Sequence, residues 1–486
     1  MESRFGPSGH QHVRRAALGL ILVICSIQIV RIGSADFRDG PVIGDQATHV
    51  MQAISIASEG NLSFDSGDVE RFAELKWGAP QGLFYQQYEH GYAFAKPYGY
   101  SLYAAPLVKV FGPVRGMALA NALLVTVLLA AVTAILRHGF EPLVSVFVAA
   151  VFTFTTAAYM YGYVQQADLF LAVIAVALTL LAVRYHASER VPYLVAAAVV
   201  LGFAMSDKPQ FFGVFAPLIL VLAWKSDRRR TLLAYLGGAF IASFVVAIVP
   251  YLFYSDFEAW NPYSGIRFYS PGGDVPFDST AATDAVLTAG DQFFSVSYWK
   301  DALGDDLATS VESAGYALYG RHTGMLPFYP LAALLILGAL YRRRWDPNSV
   351  AVVFGIAAYI AFYSLFFPLN YYGGGQSLGS RYLLQIIPLV VALPVFARFP
   401  AQFLAKLAGA GALLGLLFLG SHHRSPSNAF TFLSRTSVTQ QLFPFEYDRT
   451  GELIFACGTW DRTAIIQNGS NLCHEIAGVT VLRTEG

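Results

Sequence analysis

The chain has 486 residues, of which 55% are hydrophobic and 13% charged, with a mean hydropathy of +0.49 and a formal net charge of zero. A water-soluble domain carries about 25% charged residues. The deficit excludes an ordinary soluble globule and argues for a polytopic membrane protein with no nucleic-acid partner.

Apolar runs long enough to read as membrane spans fall at 16–32, 116–136, 143–160, 167–183, 192–206, 210–224, 232–253, 324–341, 349–367, 381–397 and 403–420. The expectation is an all-α membrane protein of about eleven transmembrane helices. Residues 16–32 also fit a cleaved signal peptide, because Arg14 and Arg15 precede the apolar core and Gly33-Ser34-Ala35 follows it. The first long polar segment, 33–115, opens on a helical pattern at 45–59. Val50, Ala53, Ile54 and Ala57 share one face, while Asp45, Gln46, His49, Gln52 and Glu59 share the other. Such a helix lies in the interface plane with its polar face in water. Residues 60–100 read as loop, and the apolar stretch 101–111, which contains Pro106, is too short to span. The second polar segment, 254–323, is acidic and helical near its end, at 300–319. After Gly420 comes a tail, 421–486, where alternation at 452–456, 463–467 and 477–483 predicts a small external β-rich element. The layout is a transmembrane domain over 1–420 followed by an external tail.

The neutral total hides an asymmetry. If the runs cross a bilayer in order, the side holding the N-terminus carries 15 of the 32 basic residues, Arg137, Arg184 and Arg228–Arg230 among them. Only Glu2, Glu141, Glu189, Asp227 and Asp346 join them, so that side is near +10 and the other near −10. The positive-inside rule makes the basic side cytoplasmic. The three large polar segments are then external.

Of three cysteines, Cys25 lies inside the first run, where it packs as a small apolar residue. Cys457 and Cys473 lie in the external tail, where an oxidising exterior permits a disulfide. Neither a phosphate-binding Walker sequence nor a Gly-x-Gly-x-x-Gly turn after a strand is present, which argues against an ATP-driven pump. Two halves without a repeat weaken the secondary-transporter reading.

Five ionisable residues sit where apolar runs meet polar ones, and all fall on the external side: Asp45, Lys96, Asp168, Lys208 and Arg381. Charge at membrane depth is costly and marks function. Asp45 reads either as a general base at the membrane surface or as the N-cap of the amphipathic helix. His49, one turn on, could join it on a metal or face solvent. Asp168 opens a span, either as an N-cap or as a second acid converging on Asp45. Lys96 is held by Pro97 and flanked by Tyr98, an interfacial anchor within reach of substrate. Lys208 lies at a span boundary. Arg381 follows the glycine-rich run 373–379 into a helix, a setting that suits phosphate. Arg321 and His322 end the second external segment and could touch substrate. Three cations beside two acids point to a charged, lipid-linked substrate.

The acid in the first external loop, the Lys96-Pro97-Tyr98 element and the acid opening the fourth span resemble the GT-C membrane glycosyltransferases, whose members include the protein mannosyltransferases and the aminoarabinose transferases. The runs 321–330 (Arg-His-Thr-Gly-Met-Leu-Pro-Phe-Tyr-Pro), 370–375 and Gly379-Ser380-Arg381-Tyr382 resemble a bacterial branch of that superfamily. The resemblance covers roughly 30–400. It implies a GT-C-like fold in the bacterial inner membrane and a sugar donor carried on a polyprenyl phosphate. The acceptor hydroxyl would belong to a glycan, lipid or protein on the external face, with inversion at the anomeric carbon. Asp45 would be the catalytic base, Asp168 the second acid, and Lys96, Lys208 and Arg381 the donor-phosphate ligands. Two departures stand out. Asp45-Gln46 replaces the paired acids frequent in the protein mannosyltransferases, which weakens a divalent-cation role, and Ala167-Asp168 replaces a Pro-Glu pair. A flippase without chemistry and a lipid-diphosphate polymerase or ligase are the alternatives.

Overall fold

The computed structural model describes residues 7–36, 42, 44–75, 82–264, 267–270, 276, 284–286, 307–321, 323–343, 346–367, 372–373, 379–424 and 442–443. The chain is mainly helical. It begins with α1 (Pro7–Gly33), α2 (Asp45–Ser58) and α3 (Ser66–Ala73), then strands β1 (Leu83–Tyr88) and β2 (Gly91–Phe94). Eight helices follow: α4 (Gly99–Phe111), α5 (Pro113–Leu136), α6 (Pro142–Phe154), α7 (Ala157–Tyr161), α8 (Ala167–Ser188), α9 (Val191–Asp207), α10 (Gln210–Trp224) and α11 (Arg229–Tyr254). Strands β3 (Arg267–Ser270) and β4 (Asp284–Val286) precede the final helices. These are α12 (Leu307–Tyr319), α13 (Met325–Phe328), α14 (Pro330–Arg342), α15 (Pro347–Phe366), α16 (Arg381–Ile386), α17 (Leu393–Phe396) and α18 (Ala401–Arg424), with a 3₁₀ segment (Ile387–Ala392) joining α16 to α17.

Proline at the first turn starts α5, α6, α9, α14 and α15, where its missing N–H costs nothing. Asp346 caps α15 by accepting from the Ser349 amide at 2.8 Å. Six of the described helices are long and apolar enough to cross a membrane: Gln11–Gly33, Pro113–Leu136, Ala167–Ser188, Arg229–Tyr254, Pro347–Phe366 and Ala401–Gly420. Five shorter apolar helices coincide with the remaining runs: Pro142–Phe154, Val191–Asp207, Gln210–Trp224, Pro330–Arg342 and Arg381–Phe396. Three runs are broken, the one at 381–397 into α16, the 3₁₀ segment and α17. The run at 143–160 divides into α6 and α7 after Phe154, and the run at 324–341 divides into α13 and α14, where Pro330 restarts the helix.

The helices approach closely at small residues, as expected where lipid supplies no hydrophobic drive between them. A methyl group on Gly202 of α9 would lie 2.4 Å from the Phe240 carbonyl oxygen of α11. One on Gly355 of α15 would lie 2.5 Å from the Val214 carbonyl of α10. α8 packs against α5, α9 and α16 and is largely buried, whereas α1 and α11 leave Val23, Ile27, Val246 and Phe253 exposed as a lipid-facing surface would. α1 packs on α5 and α6, with Cys25 buried in the core.

The polar segments differ most from expectation. Residues 60–100 are not simply loop: α3, closed by a reciprocal Asp65–Asp68 capping box, is followed by the β1–β2 hairpin. The hairpin joins the second external segment in one antiparallel sheet of order β2-β1-β3-β4, with Tyr85 opposite both Phe94 and Phe268. The sheet rests on α2, whose Thr48 hydroxyl accepts from the Phe84 amide at 3.1 Å. The polar face of α2 is therefore inside the protein rather than in water: His49 is 3% and Gln52 1% exposed. The β-rich tail and the Cys457–Cys473 disulfide lie outside the described residues.

Candidate active site

The first turn of α2, the segment after β2, the start of α8 and the start of α16 meet at one place. Asp45 is the first residue of α2. Its N-cap is Gly44, at φ 61°, without a capping side chain, so the reading of Asp45 as cap does not hold. Its carboxylate faces two cations instead. Lys96 Nζ lies 2.6 Å from Oδ1, and Arg381 Nη1 lies 2.7 Å from Oδ2. The same guanidinium nitrogen is 3.4 Å from Gln166 Oε1 and 4.0 Å from Asp168 Oδ2. Asp168 is not a cap either. Gln166 holds the N-cap position of α8, and Asp168 Oδ1 accepts from Gln385 Nε2 at 2.6 Å. Gln385 in turn accepts from the Tyr359 hydroxyl at 2.9 Å. A continuous polar chain thus runs Lys96–Asp45–Arg381–Asp168–Gln385–Tyr359 through residues far apart in sequence.

Burial works against the charge on Asp45, but Lys96 and Arg381 outweigh it and hold its carboxyl well below the usual range. Burial pulls Lys96 down to about 8, with Asp45 resisting. Burial also takes His49 down to about 3, so its ring is neutral. Ser101 spends its one proton on the His49 carbonyl at 3.1 Å, so the ring gives its Nδ1 proton to Ser101 Oγ at 3.3 Å. The His49 ring also meets Tyr100 edge-on at 5.5 Å. Among the described residues no three of His, Cys, Asp and Glu converge as metal ligands.

Aromatic rings carry the cations. Lys96 Nζ sits 4.2 Å from the centre of Phe84, and the Arg267 guanidinium lies 5.5 Å from the same ring and 4.9 Å from Tyr263. Lys208 Nζ sits 4.3 Å from the centre of Tyr382, which stacks on Tyr363 at 4.1 Å. Lys208 is the C-cap of α9, and Pro209 follows it. The glycine run before Arg381 lies mostly outside the described residues. Within it Gly373, at φ 103°, leaves room that a methyl group would take from the Arg381 side chain, 2.4 Å away. The Arg381 amide is bound to the Tyr372 carbonyl at 3.1 Å, so the start of α16 is partly satisfied from within.

The structure thus brings Asp45, Lys96, Asp168, Lys208 and Arg381 to one cluster, with His49 beside it. It does not bring Tyr98 there: the phenol donates to the Ala247 carbonyl at 2.7 Å and the amide to Tyr251 Oη at 2.8 Å, a tether to α11. Arg321 donates to the Phe443 carbonyl at 3.1 Å, and His322 lies outside the described residues. Sequence reasoning missed Arg267, Gln385 and Phe84. Only Gln385 left a signal, a polar residue four positions after Arg381 in an apolar helix.

Residues 96–254 match the family model described as dolichyl-phosphate-mannose-protein mannosyltransferase. No curated protein matches the chain. Among solved structures it is similar to ArnT from Cupriavidus metallidurans bound to undecaprenyl phosphate, with 15% identity over 88% of this chain and 69% of that one and a TM-score of 0.48. It is also similar to the oligosaccharyltransferase of Archaeoglobus fulgidus in complex with Zn and sulfate, with 14% identity over 84% of this chain and 52% of that one and a TM-score of 0.45. The matched segment is about a third of the chain and carries Lys96, Asp168 and Lys208.

Proposed function

We propose that the protein transfers a sugar from a polyprenyl-phosphate donor to an acceptor hydroxyl at the external face of the bacterial inner membrane, with inversion. The observation that carries this reading is Asp45 held between Lys96 and Arg381, with Asp168 4.0 Å from the same arginine. Lys96 and Arg267, sharing Phe84, form the seat for the donor phosphate, and Arg381 reaches it from the other side of Asp45. The acceptor oxygen attacks the anomeric carbon from the face opposite the phosphate. The bond to the phosphate oxygen breaks, its electron pair leaves with the lipid phosphate, and the acceptor proton passes to Asp45. Transfer goes through a cationic sugar, so the cost lies in charge separation at both ends. Cations at the leaving group and a carboxylate at the acceptor lower it. Asp45 paired with two cations is a weak base. A phosphate that takes over Lys96 removes one of them and raises the affinity of Asp45 for a proton, so donor binding switches the base on. Asp168, fixed by Gln385, keeps Arg381 in place while this exchange occurs.

The test replaces Asp45 with Asn and follows sugar transfer by mass spectrometry of the lipid-linked donor pool in isolated membranes. Loss of a general base lowers the rate by about 10² to 10⁴, with binding of polyprenyl phosphate retained. Unchanged transfer removes Asp45 from the mechanism. Binding and turnover of a lipid-diphosphate donor instead would replace the monophosphate reading with that of a polymerase or ligase.

A further inference from the structure

Charge balance in the cluster leaves two cations over. Lys96 and Arg381 are both within salt-bridge distance of Asp45, and Arg381 also serves Asp168. Two carboxylates therefore offset two cations. Arg267 and Lys208 remain, and among the described residues neither forms an ion pair. They rest on different supports. Arg267 shares Phe84 with Lys96 on the sheet side of Asp45. Lys208 stands over the Tyr363–Tyr382 stack, built by α15 and α16, on the Asp168 side.

The backbone of Lys208 is held in place. The residue is the C-cap of α9, with its amide bound to the Ala204 carbonyl at 2.8 Å and its carbonyl accepting from Phe211 at 3.0 Å. Pro209 fixes the backbone beyond it. Asp168, its nearest acid in the cluster, is already taken: Gln385 binds one oxygen and Arg381 faces the other. An ammonium offers three N–H donors, and an aromatic face satisfies its charge without using them.

Resting on the donor reading above, we infer that the site has two anion seats. Arg267 and Lys96 take the donor phosphate. Lys208 takes a second anionic group, a carboxylate or phosphate, borne by the transferred sugar or by the acceptor. A neutral sugar passed to a neutral hydroxyl would give the Lys208 ammonium, half-buried over its aromatic stack, no anion for its N–H donors.

The test is binding to the full chain in lipid nanodiscs, comparing wild type with Lys208→Gln, Lys208→Arg and Arg267→Gln. One pair of probes is polyprenyl phosphoglucuronate against polyprenyl phosphoglucose, which places the anion on the donor sugar. The other is glycerol phosphate against glycerol, added with the phosphoglucose lipid bound, which places it on an acceptor headgroup. Loss of one charge-assisted contact weakens binding by roughly 10-fold or more. Lys208→Gln should show that loss with the charged member of one pair, change the neutral member less than about twofold, and be rescued by Lys208→Arg, which also controls for folding. The inference is overturned if both charged probes bind Lys208→Gln as they bind wild type. It is equally overturned if that variant weakens polyprenyl phosphoglucose as much as Arg267→Gln does, because Lys208 then belongs to the phosphate seat. Failure of polyprenyl phosphoglucose to bind wild type sinks the donor reading instead, and glycerol phosphate alone still decides the role of Lys208.

Discussion

His49 and Asp45 share a face of α2 one turn apart, yet they respond to acid over different ranges. The folded protein holds His49 at about 3 against its ordinary 6.5, because burial disfavours the charged ring. Between those values the unfolded chain binds a proton that the folded chain refuses, so stability falls as pH drops from 6.5 toward 3. Asp45 is depressed below its ordinary 3.8, so the stability from its two ion pairs is present above 3.8 and is lost only below it. His49 therefore contributes to the acid limb between pH 6.5 and 4, where Asp45 does not. The change in thermal unfolding midpoint of the purified protein between pH 7 and pH 4.5 should be less destabilising in His49→Gln than in wild type. Equal slopes would reassign the limb to other groups. The same burial explains which site residues were legible in the sequence. A lone charge beside an apolar run is costly, so Asp45, Lys96, Asp168, Lys208 and Arg381 stood out. Arg267 lies in a polar segment where a charge costs nothing until the fold buries it. Tyr98 looked like a substrate contact because the sequence does not reveal that its phenol is spent on Ala247.

At the scale of elements, α4 meets the end of α9 through a contact that neither helix advertises. Asp207 is 2% exposed, its carboxyl faces the Gly99 amide at the start of α4, and neither oxygen completes a hydrogen bond among the described residues. A methyl group on Gly99 would lie 2.3 Å from Asp207 Oδ2 and 3.2 Å from the ring of Phe170. Overpacking of this kind costs about 1–3 kcal/mol, so Gly99→Ala should lower the unfolding midpoint. Asp207→Ala removes the obstructing carboxyl, and the double variant should lose less than the two single changes together. Strict additivity would show that the clash relaxes elsewhere. The apolar runs were legible because each carries at most one Asp, Glu, Lys or Arg over 15 to 22 residues. The sheet was not. β1, Leu-Phe-Tyr-Gln-Gln-Tyr, does not alternate cleanly, and its partner β3 lies about 180 residues later, so no local pattern announces the pairing. Pairing of β1 with β3 nonetheless carries Phe84 and Arg267 to the two sides of one contact, which is how the second polar segment enters the site.

For the whole molecule, the cluster gathers at one end of the helices. It takes the starts of α2, α8 and α16 and the end of α9, and the sheet sits over the same end. The opposite ends carry the loops with Arg137, Arg184, Arg190 and Arg228–Arg230. Lys and Arg in short loops resist translocation, so charge predicts that the cluster faces outward and the arginine loops face the cytoplasm. That orientation agrees with the proposed chemistry, in which a polyprenyl-linked donor and an envelope acceptor would meet on the outer leaflet. It can be read with a membrane-impermeant maleimide on intact bacterial cells, in a chain whose Cys25, Cys457 and Cys473 are replaced by Ser. Glu89, in the turn between β1 and β2, and Ser188, at the end of α8, are both exposed and lie on opposite sides under this arrangement. Glu89→Cys should react in intact cells, and Ser188→Cys only after the membrane is permeabilised. The reverse pattern would put the site in the cytoplasm and require an acceptor there. Reaction at both positions in intact cells would mean that the two do not lie on opposite sides, and that the order of crossings between β1 and α8 is not the one the apolar runs describe.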